Sequence, residues 1–154
     1  MAKAPTALMT LLQLAEKKSE QATLVLEQAK QRSIAAHNQY EQLEQYRREY
    51  LAQHVALLTT GIESQELLNF KGFLLNLDRT IIGQQEVVER CKLVAQEHRL
   101  IWQEAQRKKM SYEVLIEQQK VKMVIAQAKS DQKLTDEFVN TRSAVQFQRR
   151  ESRP

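Results

Sequence analysis

Proline and glycine, the residues that normally punctuate a compact domain, are nearly missing. The 154-residue chain has two Pro, Pro5 and Pro154 at its extremities, and three Gly, and only 6% of its residues are aromatic. A globular domain of this length needs more turns and more large apolar residues to fill a centre. Cysteine is limited to Cys91, which excludes an intrachain disulfide framework and a thiol cluster for zinc. There is no apolar run of about 18 residues, the length a membrane-spanning helix requires. The opening Met1-Ala2-Lys3-Ala4-Pro5-Thr6 lacks the apolar centre of a secretory signal, so the expected compartment is the cytosol.

Catalytic constellations are equally thin. Gly61, Gly72 and Gly83 are too sparse to cradle phosphates. His37, His54 and His98 are far apart, and none has a metal-binding neighbour at helical spacing; His54 with Glu49, or His98 with Glu97, fits ordinary polar positions of a coiled coil. A bare two-helix seam also offers no concave pocket. The expectation is a non-enzyme with no metal and no cofactor.

What the chain does contain is a seven-residue apolar repeat. From Leu67, steps of seven give Leu74, Ile81, Val88, Ala95, Trp102, Lys109, Ile116 and Met123, apolar except at Lys109. Three residues later the row reads Phe70, Leu77, Gln84, Cys91, His98, Ala105, Tyr112, Gln119 and Ala126. A repeat this long with no internal proline is a coiled-coil helix, and Cys91 on it is a small buried hydrophobe. An earlier row, Leu8, Ala15, Ala22, Ala29, Ala36, Leu43, Tyr50 and Leu57, supplies a partner. Its offset companions at the same three-residue spacing, Leu11, Lys18, Val25, Arg32, Gln39, Tyr46 and Gln53, make a weaker face. Four successive alanines allow close approach but bury little area at about 25 cal/mol per Å².

The two rows are separated by Thr59-Thr60-Gly61-Ile62-Glu63-Ser64. Gly61 suits the left-handed end of a helix, and Ser64 suits a cap with Gln65 and Glu66 in the following turn. Thr6, just after Pro5, is the matching cap at the start. A short loop between heptad helices makes them antiparallel neighbours. The fold class is therefore all-α, a long antiparallel two-helix coiled coil or α-hairpin forming one domain over 1–154. Helix one covers about 6–58, the turn 59–64, helix two 65–142, and a basic tail 143–154. Folding back from the turn puts Leu57 near Leu67 and Leu8 near Ile116, so residues beyond about Met123 lack a partner. There Ser130, Lys133, Glu137 and Asn140 replace the apolar positions, while Phe138, Val139, Val145 and Phe147 lie among Arg142, Arg149, Arg150 and Arg153 as anchors for another protein.

Just after the turn, Leu68, Leu75 and Ile82 repeat at seven on a line pointing away from the seam, with Gly72 and Gly83 beside them. A helical glycine costs about 1 kcal/mol relative to alanine, so this bare backbone fits either a docking surface or a local kink. Charge is uneven too. Residues 1–106 hold 12 Lys/Arg against 13 Asp/Glu, and residues 107–154 hold 11 against 6, a surplus of five positive charges in the last third. A nucleic-acid binder would use Arg107-Lys108-Lys109-Tyr112 with Lys120 and Lys122, but Glu113 and Glu117 interrupt that stripe. A protein-docking stalk accounts for seam, overhang and off-seam stripe together.

Several short runs stand in a particular order and spacing: Leu14-Ala15-Glu16-Lys17, Tyr46-Arg47-Arg48-Glu49-Tyr50, Gly61-Ile62, and Asn69-Phe70 followed by Phe73, Leu77, Ile81 and Gln84. They continue in Trp102 with Lys108 and in Asp131-Gln132-Lys133 with Asp136-Glu137-Phe138. In these the sequence resembles the FliJ family of flagellar export proteins over essentially the whole chain. The resemblance implies a hairpin similar to the central stalk of rotary ATPases. It further implies a non-enzymatic part of the flagellar type III export apparatus that inserts into the hexameric export ATPase, promotes its assembly, and links it to the cytoplasmic domain of the export gate FlhA. Such proteins also escort export chaperones, and they sit in the cytoplasm, peripheral to the inner membrane at the flagellar base. Stalks of virulence type III secretion and a basic nucleic-acid-binding coiled coil are the alternatives.

Carried onto this chain, the gate-docking patch falls at Phe73, Leu77, Thr80 and Gln84, beside Leu75 and Ile82 of the off-seam line. Thr80 and Gln84 depart from the small apolar and histidine residues of relatives, and Leu77 also belongs to the seam, so its exposure requires a shift of register near the turn. The ATPase-facing end would be Leu8 and Leu11 with Lys133, Phe138, Arg142, Arg149 and Arg150.

Overall fold

The computed structural model describes the backbone of residues 3–61 and 63–152, and their side chains from Ala7 onward except Leu57 and Leu58. Two helices account for nearly all of it: α1 (Lys3–Thr60) and α2 (Ser64–Glu151), with no strand among the described residues. They pack against each other as an α-hairpin. Helix formers dominate both segments, and no Gly or Pro occurs between Gly83 and Pro154, so nothing terminates α2 at the expected residue 142. It continues to Glu151, and residues of the expected basic tail are helical. The start also differs from the expected Thr6 cap: α1 begins at Lys3, so Pro5 occupies the first turn, where its missing N–H leaves no helical bond unmade.

At the turn, Gly61 has φ +80°, the left-handed region in which a side chain would be strained. The carbonyl of Glu63 accepts a hydrogen bond from the Leu67 N–H at 3.1 Å, which makes Ser64 the first residue inside α2 rather than its cap. Glu63 and Glu66 lie where the positive end of the helix dipole favours them. Ile62 and the Leu57 side chain fall outside the described residues.

By internal packing the chain divides into two compact units, Glu16–Arg107 and Met1–Ala15 with Lys108–Pro154. In the Glu16–Arg107 unit, α2 buries or half-buries each predicted seam position, with Phe70, Leu77, Ile81 and Val88 inside. On α1 the alanine row is inside as well, but its companions are found four residues later instead of three. Ser19, Leu26, Ser33, Tyr40, Arg47 and His54 are the covered positions, whereas Val25, Gln39 and Tyr46 are exposed. A heptad seam alternates spacings of three and four, so one row fits two registers. The large residues at the four-spacing, Leu26 and Tyr40, decide between them. The face is stronger than the three-spacing suggests.

Small residues (Ser19, Ala22, Ala29, Ser33 and Ala36) make up much of the covered face of α1 in this unit. Four polar pairs cross the seam. Ser19 is buried, and its hydroxyl accepts from Gln106 Nε2 at 2.6 Å. Trp102 Nε1 donates to Thr23 Oγ1 at 3.0 Å, and Gln85 Nε2 donates to Tyr40 Oη at 3.0 Å. Arg47 Nε donates to Asp78 Oδ1 at 2.6 Å. That hydrogen bond first, and the Asp78 charge second, raise the Arg47 pKa above its already high ordinary value, so the guanidinium stays charged. In each of these four pairs the two residue numbers have the same sum. One antiparallel register therefore holds throughout this unit, with no slip near the turn.

In the other unit Leu8 and Leu12 of α1 are half-buried, as are Lys109, Tyr112, Ile116 and Gln119 of α2. Every residue from Lys120 to Ser152 is exposed. At about 1.5 Å per residue this is roughly 45 Å of helix in which no described residue is covered.

Equilibrium urea unfolding followed by circular dichroism should separate seam from surface. Ile81→Ala is expected to cost about 2–4 kcal/mol through the cavity it leaves, and Leu75→Ala less than about 0.5 kcal/mol. Gly61→Ala should cost about 1–2 kcal/mol by placing a Cβ in left-handed backbone.

Candidate docking surfaces

Next to the turn, five rings from both helices form one cluster. Tyr50 stacks on Phe70 with centroids 5.5 Å apart and planes at 11°, and contacts Phe73 at 4.4 Å and His54 at 4.1 Å. Tyr46 meets Phe73 edge-on at 6.3 Å and 71°. His54 Nδ1 lies 2.8 Å from the Tyr50 carbonyl, which can only accept, so that nitrogen carries the proton. Phe70 is buried as the inner member, while Tyr46 and Phe73 keep 49% and 39% of their surface exposed. Phe73 is thus held from behind by Tyr50 and left open in front, the condition of a preformed anchor.

The six residues assigned to gate docking separate into two groups. Phe73, Thr80, Leu75 and Ile82 are exposed; Thr80 Oγ1 donates to the Asn76 carbonyl at 2.9 Å, a bond within its own helix. Leu77 and Gln84 instead face α1. Leu77 is 7% exposed, because the seam keeps one register up to the turn and no shift releases it. Gln84 Nε2 donates to the Ala36 carbonyl at 2.9 Å and lies 3.3 Å from Gln39 Oε1, so its amide is committed inside the hairpin. Those two side chains support the patch and are not offered by it.

Of the residues assigned to the ATPase end, Leu8 is half-buried, and Leu11, Lys133, Phe138, Arg142, Arg149 and Arg150 are exposed. The free part of α2 carries an apolar line that heptad counting misses: Leu134, Phe138, Thr141 and Val145, at spacings of four, three and four. The first three stand one residue after the failing heptad positions Lys133, Glu137 and Asn140. Of these Phe138 was visible as an anchor in the sequence, and Leu134 was not.

Among the described residues there is no group of three His, Cys, Asp or Glu placed to hold a metal ion, and no helix is long and apolar enough to cross a membrane. The surfaces available are therefore an aromatic anchor at the turn and a basic, partly apolar helix at the opposite end of the sequence order. A family model described as Flagellar FliJ protein matches residues 4–151. The chain belongs to the flagellar FliJ protein family. The Flagellar FliJ protein of Escherichia coli (strain K12) is 27% identical over 132 residues, covering 86% of this chain and 90% of that protein. No solved structure matches. Membership in the FliJ family implies a component of the flagellar export apparatus.

Because Lys120–Ser152 is uncovered in this FliJ-family chain, removing residues 131–154 should leave the unfolding free energy of the Glu16–Arg107 unit within about 0.5 kcal/mol of the full chain. A larger loss would mean that the free helix folds back on the hairpin.

Proposed function

We propose that this chain is a non-enzymatic stalk of the flagellar type III export apparatus, inserting into the hexameric export ATPase and coupling it to the cytoplasmic domain of the export gate FlhA. The observation that carries the proposal is the free end of α2: an exposed helix in which Phe138 and Leu134 stand among Arg142, Arg149, Arg150 and Lys133. The uncovered segment from Lys120 to Ser152 holds seven Lys/Arg against four Asp/Glu, and an apolar line on such a helix suits a partner surface that is apolar at its centre and acidic at its rim. Leu8 and Leu11, near the start of α1, belong to the same end. The chemistry remains in the ring; this chain biases its subunits through asymmetric contacts and transmits their state by stiffness.

The gate contact falls on Phe73, Leu75, Thr80 and Ile82, with Leu77 and Gln84 fixing the helix that presents them. Export chaperones meet the same rod, and the whole operates in the cytoplasm, peripheral to the inner membrane at the flagellar base. Nucleic acid is not a partner in this scheme, because Glu113 and Glu117 break the basic stripe.

Two measurements test the two ends separately. Reversing charge at Arg142, Arg149 and Arg150 should weaken capture of the export ATPase and flatten its salt dependence. Undiminished stimulation of ATP hydrolysis by that variant would remove the free helix from the contact. Phe73→Ala with Ile82→Ala should reduce gate binding at unchanged helicity, whereas Leu77→Ala should lower stability by about 2–4 kcal/mol.

A further inference from the structure

The free end of α2 continues a face that α1 has begun to cover. In the unit of Met1–Ala15 with Lys108–Pro154, the residues Lys109, Tyr112, Ile116 and Gln119 are half-buried. Taken at 3.6 residues per turn, the line of Leu134, Phe138, Thr141 and Val145 points about 30° from the mean direction of those four. Extended both ways at the same alternating spacing, the line takes in Gln127, Asp131, Gln148 and Ser152, eight positions over 26 residues. That is between three and four heptads, enough for a coiled coil. All eight side chains are exposed.

In order, the row runs Gln, Asp, Leu, Phe, Thr, Val, Gln, Ser, apolar near its middle and polar at both ends. Turned end for end it matches itself: Leu134 falls opposite Val145, Phe138 opposite Thr141, Asp131 opposite Gln148, and Gln127 opposite Ser152. Charge beside the row follows the same order, with Asp131 and Glu137 in the first half and Arg142 and Arg149 in the second. The remaining charges, Lys129, Lys133, Asp136, Arg150 and Glu151, point more than about 90° from the line. An antiparallel copy thus brings Arg149 beside Asp131 twice, one residue past the position opposite. Arg47 and Asp78 hold the same relation within the hairpin, with Nε 2.6 Å from Oδ1. Asp131 Oδ1 accepts from Gln127 Nε2 at 3.1 Å, which leaves its second oxygen for the arginine. No like charges meet at the facing positions, and five Lys/Arg against four Asp/Glu over residues 127–152 keep self-repulsion small. The alternatives are poorer. A parallel copy sets Asp131 against Asp131; sliding the antiparallel pair by one heptad either sets Glu137 against Glu137 or shortens the overlap.

From this self-match we infer that the free helix from Gln127 to Ser152 pairs antiparallel with the same segment of a second copy, about a two-fold axis between Val139 and Asn140. A strip about 10 Å wide and about 39 Å long on each helix amounts to roughly 800 Å² in total, the size of a transient contact rather than of an obligate one. The pairing is accordingly reversible. It covers the Leu134 and Phe138 line proposed above for the export ATPase, so self-pairing and ring docking exclude each other. That exclusion, unlike the pairing, rests on the stalk reading.

Sedimentation equilibrium of the full chain from about 1 to about 200 μM should show reversible exchange between monomer and dimer, with a midpoint in the micromolar range or above. Asp131→Arg or Arg149→Glu alone should weaken the dimer at least about fivefold, and both in one chain should restore it to within about twofold. Lys129→Gln with Asp136→Asn, both pointing away, should leave it unchanged. Leu134→Cys mixed with Val145→Cys, each carrying Cys91→Ser, should give a disulfide-linked dimer on mild oxidation. Leu134→Cys alone should not, because its two copies stand about 16 Å apart along the axis. A chain that is monomeric at about 200 μM, a charge exchange that restores nothing, or Leu134→Cys that links to itself as readily overturns the inference. The linked dimer should bind the export ATPase only after reduction. Binding while linked would remove the exclusion and leave the pairing, whereas a monomeric chain captured by the ATPase would remove the pairing and leave the stalk reading.

Discussion

Everything described depends on one antiparallel register of α1 against α2. The apolar contacts along the alanine row do little to choose it, since small side chains sliding past larger ones change the buried area only slightly. The polar pairs do choose it. Displacing α2 by one heptad would separate the Ser19 hydroxyl, the Trp102 N–H and the Asp78 carboxylate from their present partners, and the cost is greatest at Ser19, the one of the three that is buried. The ring cluster of Tyr50, Phe70 and Phe73 reinforces the same choice near the turn. Burial supplies the adhesion, and hydrogen bonds supply the address.

That division explains where sequence patterns were sufficient and where they were not. The α2 seam could be read position by position, because Leu67 to Gln119 obey the three-four alternation with large side chains. Gly61 was equally plain, since glycine is the residue that takes a left-handed helix end at least cost. The α1 companions were harder. A row of alanines has no size contrast to mark which neighbour faces inward, so the exposed Val25 and Tyr46 competed with the covered Leu26 and Tyr40. Leu77 shows the same ambiguity from the other direction: it is a residue of the seam that a family pattern also claims for a surface. The end of α2 at Glu151 was missed because a failing heptad suggests a failing helix. What stops there is only the partner; the segment keeps good helix formers and no breaker.

The flanks of the Glu16–Arg107 unit show how a pair of packed helices can acquire sidedness. Asp78, Gln85 and Gln106 close one side with bonds to α1, while Phe73, Val94 and Ile101 leave the other apolar and open. A uniform coiled coil would present the same polar coat in every direction. Here the anchor at Phe73 has a defined front, because Tyr50 occupies its back. Flagellar FliJ family membership agrees with a chain that presents surfaces of this kind.

The constant pairing sum also restricts how the gene for such a protein can change length. One codon lost inside either arm of the Glu16–Arg107 unit would rotate every later side chain by about 100° and misalign all pairs on the far side of the cut. A tolerated deletion there must remove whole heptads from both arms at mirrored places, a coincidence of two events. The uncovered end of α2 has no such bookkeeping, so length variation among relatives should collect beyond Gln119 and spare the paired arms.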